Sequence, residues 1–201
     1  MRLKKEYREE TVIEKSRFIA IVKPCFNEDE ARSFIDQIRH EFPDSSHVCT
    51  AYVIGEGNRI RRSSDNKEPS GTAGVPMLNS ILSSNLENTC ACVVRYFGGI
   101  KLGTGGLARA YGGCVKNALE HAEKCEDIPV DVYELSYPYE LSGTMESWLR
   151  RNGTISDVLY DDAVHCIFET EMKDAEKKIQ DLSKGKCTVS YLHQTKKEKD
   201  L

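Results

Sequence analysis

The sequence predicts an α+β protein of two domains, and three observations carry that expectation. A nearly all-apolar strand, "TCACVVRYF", runs into a glycine-rich connection and then a helix, an α/β pattern. A polar stretch, "EKCEDIP", reads as a linker and divides the chain into residues 1–126 and 127–201. Beyond it the elements follow the order β-α-β-β-α-β, that of the ferredoxin-like split βαβ unit. A chain of 201 residues is long enough for a core in each part.

Taken in order, "TVIEKSRFIAIV" is rich in β-branched residues and ends at Pro24, so it reads as a strand or a bent hairpin. "NEDEARSFIDQIRHEF" opens with a capping box, Asn27 with Glu30. It places Ala31, Phe34, Ile35, Ile38 and Phe42 on one helical face. "HVCTAYVIG" and "NRIRR" form a predicted hairpin turned at "GEGN". After the long polar loop "SSDNKEPSGTAG", Pro76 stands in the first turn of a helix through "VPMLNSILSSN". "TCACVVRYF" then suits the centre of a sheet. From Thr104, Leu107, Tyr111, Cys114 or Val115, Ala118 and Ala122 recur at helical spacing, with Gly112 and Gly113 expected where this helix presses on the sheet.

In the second part "VDVYELSYPY" reads as a strand and "ELSGTMESWLRRNG" as a helix with a glycine stop. "TISDVLY" and "AVHCIFETEM" are strands across a "DD" turn, "DAEKKIQDLSKG" is a glycine-terminated helix, and "CTVSYLH" is the last strand. "QTKKEKDL" is expected to fray.

Composition narrows the function classes. Hydrophobic residues at 39% and charged residues at 30% describe a soluble globular chain. The start "MRLKKEYREE" is too charged for a secretory signal, and "FIAIV" and "ACVV" fall far short of the ~20 apolar residues that span a bilayer. A cytoplasmic location without membrane contact is expected. Eight cysteines with no C-x-x-C pair then read as reduced, buried thiols. Cys90 and Cys92 would share one sheet face, and a zinc site joining them to Cys49 and His47 stands as the alternative.

Net charge is −4, which is less basic than a generic nucleic-acid binder. Its distribution is uneven, with 18 Lys+Arg against 17 Asp+Glu in residues 1–126 and 10 against 15 in residues 127–201. From Asn88 to Leu119 there is no acidic residue, while Arg95, Lys101, Arg109 and Lys116 all occur, which makes a local positive field.

The centre of that field, "RYFGGIKLGTGGLARAY", holds five glycines. Each glycine in an element interior costs ~1 kcal/mol relative to alanine, so the cluster asks for a compensating role. One role is architectural: turns and close packing. The other is binding, because a glycine-rich turn before a helix exposes N–H groups at the positive end of the helix dipole. The candidate ligand-binding residues are Arg95, Gly98, Gly99, Lys101, Gly103, Thr104, Gly105, Gly106 and Arg109, with Ser70 and Thr72 from the "EPSGTAG" loop. A P-loop is excluded because Gly103 is followed by Thr104 with no lysine between. "GTGGLA" matches the relaxed dinucleotide fingerprint, yet it lies too far beyond the strand for the tight turn which that motif needs. His47, Asp65 and Glu68 would supply acid–base chemistry if the fold brought them together, and a solvated charged loop is the plainer reading.

"EPSGTAG", followed after a helix by "VVRYFGGIKLGTGGLARAY", resembles the signature of the IMPACT family, also called the YigZ or UPF0029 family. "EKSRFIA" resembles the family's opening, and the likeness runs through about residues 1–125, with a tail similar to the second domain of bacterial two-domain members. One departure stands out: where the family usually reads "SDDGEPSGTAG", this chain has Asn66 and Lys67 in place of an acidic–glycine pair. The resemblance implies an N-terminal domain of the fold shared by a ribosomal protein and small-molecule kinases (S5 domain 2-like). It also implies a C-terminal domain like domain V of elongation factor G. Eukaryotic members regulate translation under amino-acid starvation by competing for a ribosome-associated activator of a kinase. They carry a further N-terminal domain that is not seen in this sequence, so that partner is not carried over.

The resulting expectation is a non-enzymatic, translation-associated regulatory protein whose basic glycine loop meets RNA phosphate, the ribosome or a ribosomal partner, with no cofactor. The alternative is an enzyme or sensor that takes a small phosphorylated ligand in the same loops. No acidic pair near the glycine loop offers a magnesium ligand for phosphoryl transfer.

Overall fold

A computed structural model describes residues 1–201 as a mixed α/β protein with two antiparallel sheets and five helices. Two compact units divide it: residues 1–126 with 200–201, and residues 127–199.

In the first unit the sheet has the order β2-β3-β6-β4-β5, formed by Tyr7–Ile13, Ser16–Pro24, Thr89–Tyr96, His47–Ile54 and Ile60–Ser64. β2 and β3 make a tight hairpin through Glu14 and Lys15, both with positive φ. Helices cover both faces. On one lie α2 (Gly74–Ser83) and α3 (Gly103–His121), packed on Phe18, Ala20, Ala51, Val53, Ala91 and Val93. On the other lies α1 (Glu28–Glu41), packed on Ile19, Ile21, Val48, Ile54 and Val94. Burial on both faces is why β6, in an antiparallel sheet, reads as an unbroken apolar run rather than an alternating one. The α1 capping box forms: Asn27 Oδ1 accepts from the Glu30 N–H at 2.8 Å, and Glu30 accepts from the Phe26 N–H at 2.8 Å.

Two expectations about glycine are revised by the packing. Gly112 does not press on the sheet; it faces α2, where an added Cβ would sit 3.4 Å from Ser80 and 3.5 Å from Pro76. A Cβ added at Gly113 would meet nothing beyond its own helix within 4 Å.

In the second unit β7 (Lys124–Tyr137), α4 (Ser142–Asn152), β8 (Thr154–Tyr160), β9 (Val164–Thr170), α5 (Ala175–Ser183) and β10 (Thr188–Asp200) follow in turn. β9 lies between β7 and β8, and β10 pairs β7 on its other side. Tyr133, Leu135, Tyr137, Cys166 and Phe168 of the sheet share a core with Met145, Leu149 and Ile179 of the helices. "EKCEDIP" is not a free linker: it belongs to β7, and β1 (Arg2–Leu3) pairs its first residues, Leu3 with Lys124 and Arg2 with Cys125. "QTKKEKDL" does not fray after His193, because β10 continues to Asp200. Exposed, charged strand residues give no apolar alternation, so a polarity reading takes them for linker and tail.

Candidate functional site

Strand register builds a row of side chains across one face of the first sheet. Phe18 of β3 lies opposite Arg95 of β6, and Arg95 lies opposite His47 of β4. Arg95 follows Ala91 and Val93 at a spacing of two, so it points under α3 with them rather than to water. There it is 4% exposed, stacked 5.3 Å from the Phe18 ring centroid and 5.4 Å from that of Phe97. Its guanidinium donates to Glu68 at 2.7 Å and to Ser16 Oγ at 3.2 Å, while Nε is buried without a partner.

Glu68 comes from the β5–α2 loop and is itself buried. The same carboxylate oxygen accepts the Tyr111 hydroxyl at 2.7 Å, and His47 Nε2 stands 3.7 Å away. Burial, together with Cys49 and Glu68 alongside, pushes the Tyr111 phenol far above its ordinary range. Burial also holds the Cys49 thiol up at about 12, so it is neutral at physiological pH. This cluster ties the loop, β4, β6 and α3 together.

Of the three candidate acid–base groups, His47 and Glu68 therefore converge and Asp65 does not. Asp65 instead closes the start of α2. Its carboxylate accepts the N–H groups of Gly71 at 2.8 Å, Ala73 at 2.9 Å and Gly74 at 2.8 Å. Burial alone would raise its pKa, but the three N–H donors outweigh it and hold the group below the usual carboxylate range. Thr72 is buried, its hydroxyl donating to the Pro69 carbonyl at 2.6 Å, whereas Ser70 is exposed at the loop tip.

The glycine stretch divides by role. A Cβ on Gly98 would fall on the backbone of Lys15 and Ser16, so glycine there lets the β2–β3 turn approach; the Gly98 N–H donates to Ser16 Oγ at 3.2 Å. Gly99 and Gly103 have φ of 88° and 70°. Gly105 needs neither freedom nor space, since the nearest atom to an added Cβ is an Arg109 nitrogen at 3.5 Å. Gly103, Thr104 and Gly105 form an exposed α3 start, with no side-chain cap and no acid in the first turn. Lys101, Gly106 and Arg109 line a hollow of about 460 Å³ with Ile13, Glu14 and Ile100. Lys101 and Arg109 make no ion pair in the chain, and Glu14 is the one carboxylate in the lining.

The structure thus separates Arg95 from Lys101 and Arg109. As a surface ligand for phosphate Arg95 is displaced by its burial against Glu68; the strand alternation Ala91, Val93, Arg95 was the signal for that. Tyr111, read from periodicity as a core residue, is also the hydroxyl donor to Glu68, which spacing alone does not reveal. The zinc alternative fails on topology: Cys49 belongs to the core under α2 and α3, whereas Cys90 and Cys92 belong to the core under α1. All eight cysteines are buried, and none is in a disulfide.

Comparisons with known proteins agree on one family. The model of the "Impact N-terminal domain" matches residues 14–119. The chain is 44% identical over 168 residues to IMPACT family member YvyE of Bacillus subtilis, covering 83% of this chain and 76% of that one. It is 42% identical over 134 residues to IMPACT family member YigZ of Escherichia coli, covering 65% and 66%. A solved structure titled as that of a hypothetical protein aligns over 96% of both chains at 32% identity, with a TM-score of 0.61.

Proposed function

Since the chain belongs to the IMPACT family, we propose that it is a translation-associated regulatory protein that acts by binding rather than by catalysis. Its contact surface for RNA phosphate, the ribosome or a ribosomal partner is the exposed start of α3. The observation that carries this reading is the pairing of Lys101 and Arg109 on one hollow beside an uncapped helix start. Two unpaired cations and free N–H groups at a helix N-terminus attract phosphate oxygens and position a backbone without reading sequence. The buried Glu68–Arg95–Tyr111 cluster supports a structural role for the second loop, because the Glu68 carboxylate is spent on Arg95 and Tyr111.

The finer fold reading belongs here too. The strand order β10-β7-β9-β8 with two covering helices supports a ferredoxin-like second unit similar to elongation factor G domain V. The five-stranded sheet of the first unit is consistent with the S5 domain 2-like fold.

Co-sedimentation with ribosomes at low and moderate salt tests the function. Wild type should pellet with ribosomes at low salt and less so at moderate salt. Lys101→Ala and Arg109→Ala should each weaken binding and lower its salt dependence by about one phosphate contact. Absence of wild-type binding at both salts refutes the reading. The size of the hollow favours a second possibility, a small phosphorylated ligand. A thermal-shift screen of nucleotides and sugar phosphates separates the two, since a saturable shift lost in Lys101→Ala would point to the small ligand.

A further inference from the structure

Strand β5 forms one edge of the first sheet, and no backbone hydrogen bond reaches it from any element but β4. It pairs regularly with β4, from Ile54 opposite Ile60 to Thr50 opposite Ser64, without a bulge or proline. Arg61, Arg62, Ser63 and Ser64 are exposed, Ile60 packs against the core under α1, and Gly74 at the start of α2 lies so close to Ser63 and Ser64 that an added Cβ would fall 2.7 Å from the Ser64 nitrogen. Such a strand presents N–H and C=O groups to one side that no other strand takes up; within β5 the Arg61 carbonyl accepts from the Arg62 guanidinium at 3.2 Å, a contact an added strand would displace.

Its charge is as one-sided as its hydrogen bonding. Arg61 and Arg62 lie on the edge strand, and Arg59 stands just ahead of it, with helical backbone angles (φ −61°, ψ −40°) at the end of the preceding turn. Arg62, on the face opposite Arg61, lies 3.7 Å from Glu28. Neither Arg59 nor Arg61 has a carboxylate in ion-pair reach; Arg61 Nε donates to the Asn58 carbonyl at 2.9 Å, and its two terminal nitrogens make no bond in the chain. The opposite edge, β2, differs: Arg8 pairs with Glu41, Glu10 with Arg17 and Glu9 with His121. In the second unit the β8 edge is broken by a register shift between Ser156 and Leu159.

We propose that β5 is a docking edge for an extended acidic segment of a partner protein, which adds to the sheet as a further strand with its carboxylates against Arg59 and Arg61. A strand carries its side chains at a period of two, so one acid of the partner meets Arg61 across the edge, while an acid beyond the end of the pairing meets Arg59 ahead of the strand. Main-chain pairing supplies affinity, and the ion pairs, each modest at an exposed site, select register and sign. Charged side chains also guard edges against aggregation, but that role alone would bind no strand.

The test uses the full chain and a labelled peptide of about eight residues, a common strand length, alternating glutamate with valine or threonine. Fluorescence anisotropy should show saturable binding that weakens about tenfold or more in the Arg59→Glu/Arg61→Glu double variant. Two further peptides carry N-methyl groups on alternate amides, one on the odd set and one on the even set. One of them should lose binding and the other keep it, because only alternate amides face the edge. These peptides leave the protein untouched, so the outcome does not depend on the variant folding. No binding of the parent peptide, or equal binding of all three peptides, would overturn the proposal. So would a chain that takes a single-stranded oligonucleotide through Arg59 and Arg61 and ignores the peptide.

Discussion

Lys67 holds a backbone conformation that suits glycine, with φ of 70°, and Asn66 before it has φ of 42°. Asparagine tolerates that region, whereas a lysine Cβ crowds its own carbonyl there at a cost of ~1 kcal/mol. Lys67→Gly should therefore raise stability by up to ~1 kcal/mol in denaturant melts, and a destabilised variant would show that the lysine is compensated elsewhere. One residue on, Glu68→Gln leaves Arg95 charged, buried and unpaired, for an expected loss of roughly 3 kcal/mol. Replacing both, Glu68→Gln with Arg95→Met, should recover part of that loss, since it removes the stranded charge. Asp65 makes the pH prediction. Its folded pKa is depressed, so its stabilisation of the α2 start is complete above the unfolded value of ~3.9 and is lost as pH falls through the lower folded value. The gap in melting temperature between wild type and Asp65→Asn should stay constant from neutral pH down to about pH 5 and shrink below pH 4. A gap that persists undiminished in acid would assign Asp65 another role.

At the scale of elements, α2 and α3 meet through Gly112, and the space there decides what the position accepts. An alanine methyl would rest at ordinary contact distance from Pro76 and Ser80. Gly112→Ala should be neutral or stabilising by up to ~1 kcal/mol, through helix propensity. Gly112→Leu should force the helices apart and cost roughly 1–3 kcal/mol. Equal melting of the two variants would mean that the α2–α3 contact is not close-packed. α1 was legible from its capping box and apolar spacing, and α3 from its periodicity after the glycines. β7 and β10 were longer than polarity indicated, because strand formation follows pairing partners that lie far off in sequence.

For the whole molecule, the first unit contains its own sheet and two cores, and the tail contributes only Asp200 and Leu201 to it. Lys4–Asp200 is an exposed pair, worth little. A chain ending at Glu126 should thus stay soluble and melt in a single cooperative transition. Aggregation of 1–126 beside a soluble full chain would reveal a dependence on residues 127–201. The sequence by itself determined the element pattern, the family and the acid-free basic stretch, because capping, periodicity and local composition act over a few residues. Only the tertiary structure decided that Arg95 turns inward to Glu68, 27 residues away, and that Tyr111 joins them from 43 residues beyond Glu68. It likewise decided that Gly98 yields to the Lys15 backbone and that β5 lies at the edge. Those contacts depend on strand order and register, which combine segments far apart along the chain and leave no mark in the periodicity of any one of them.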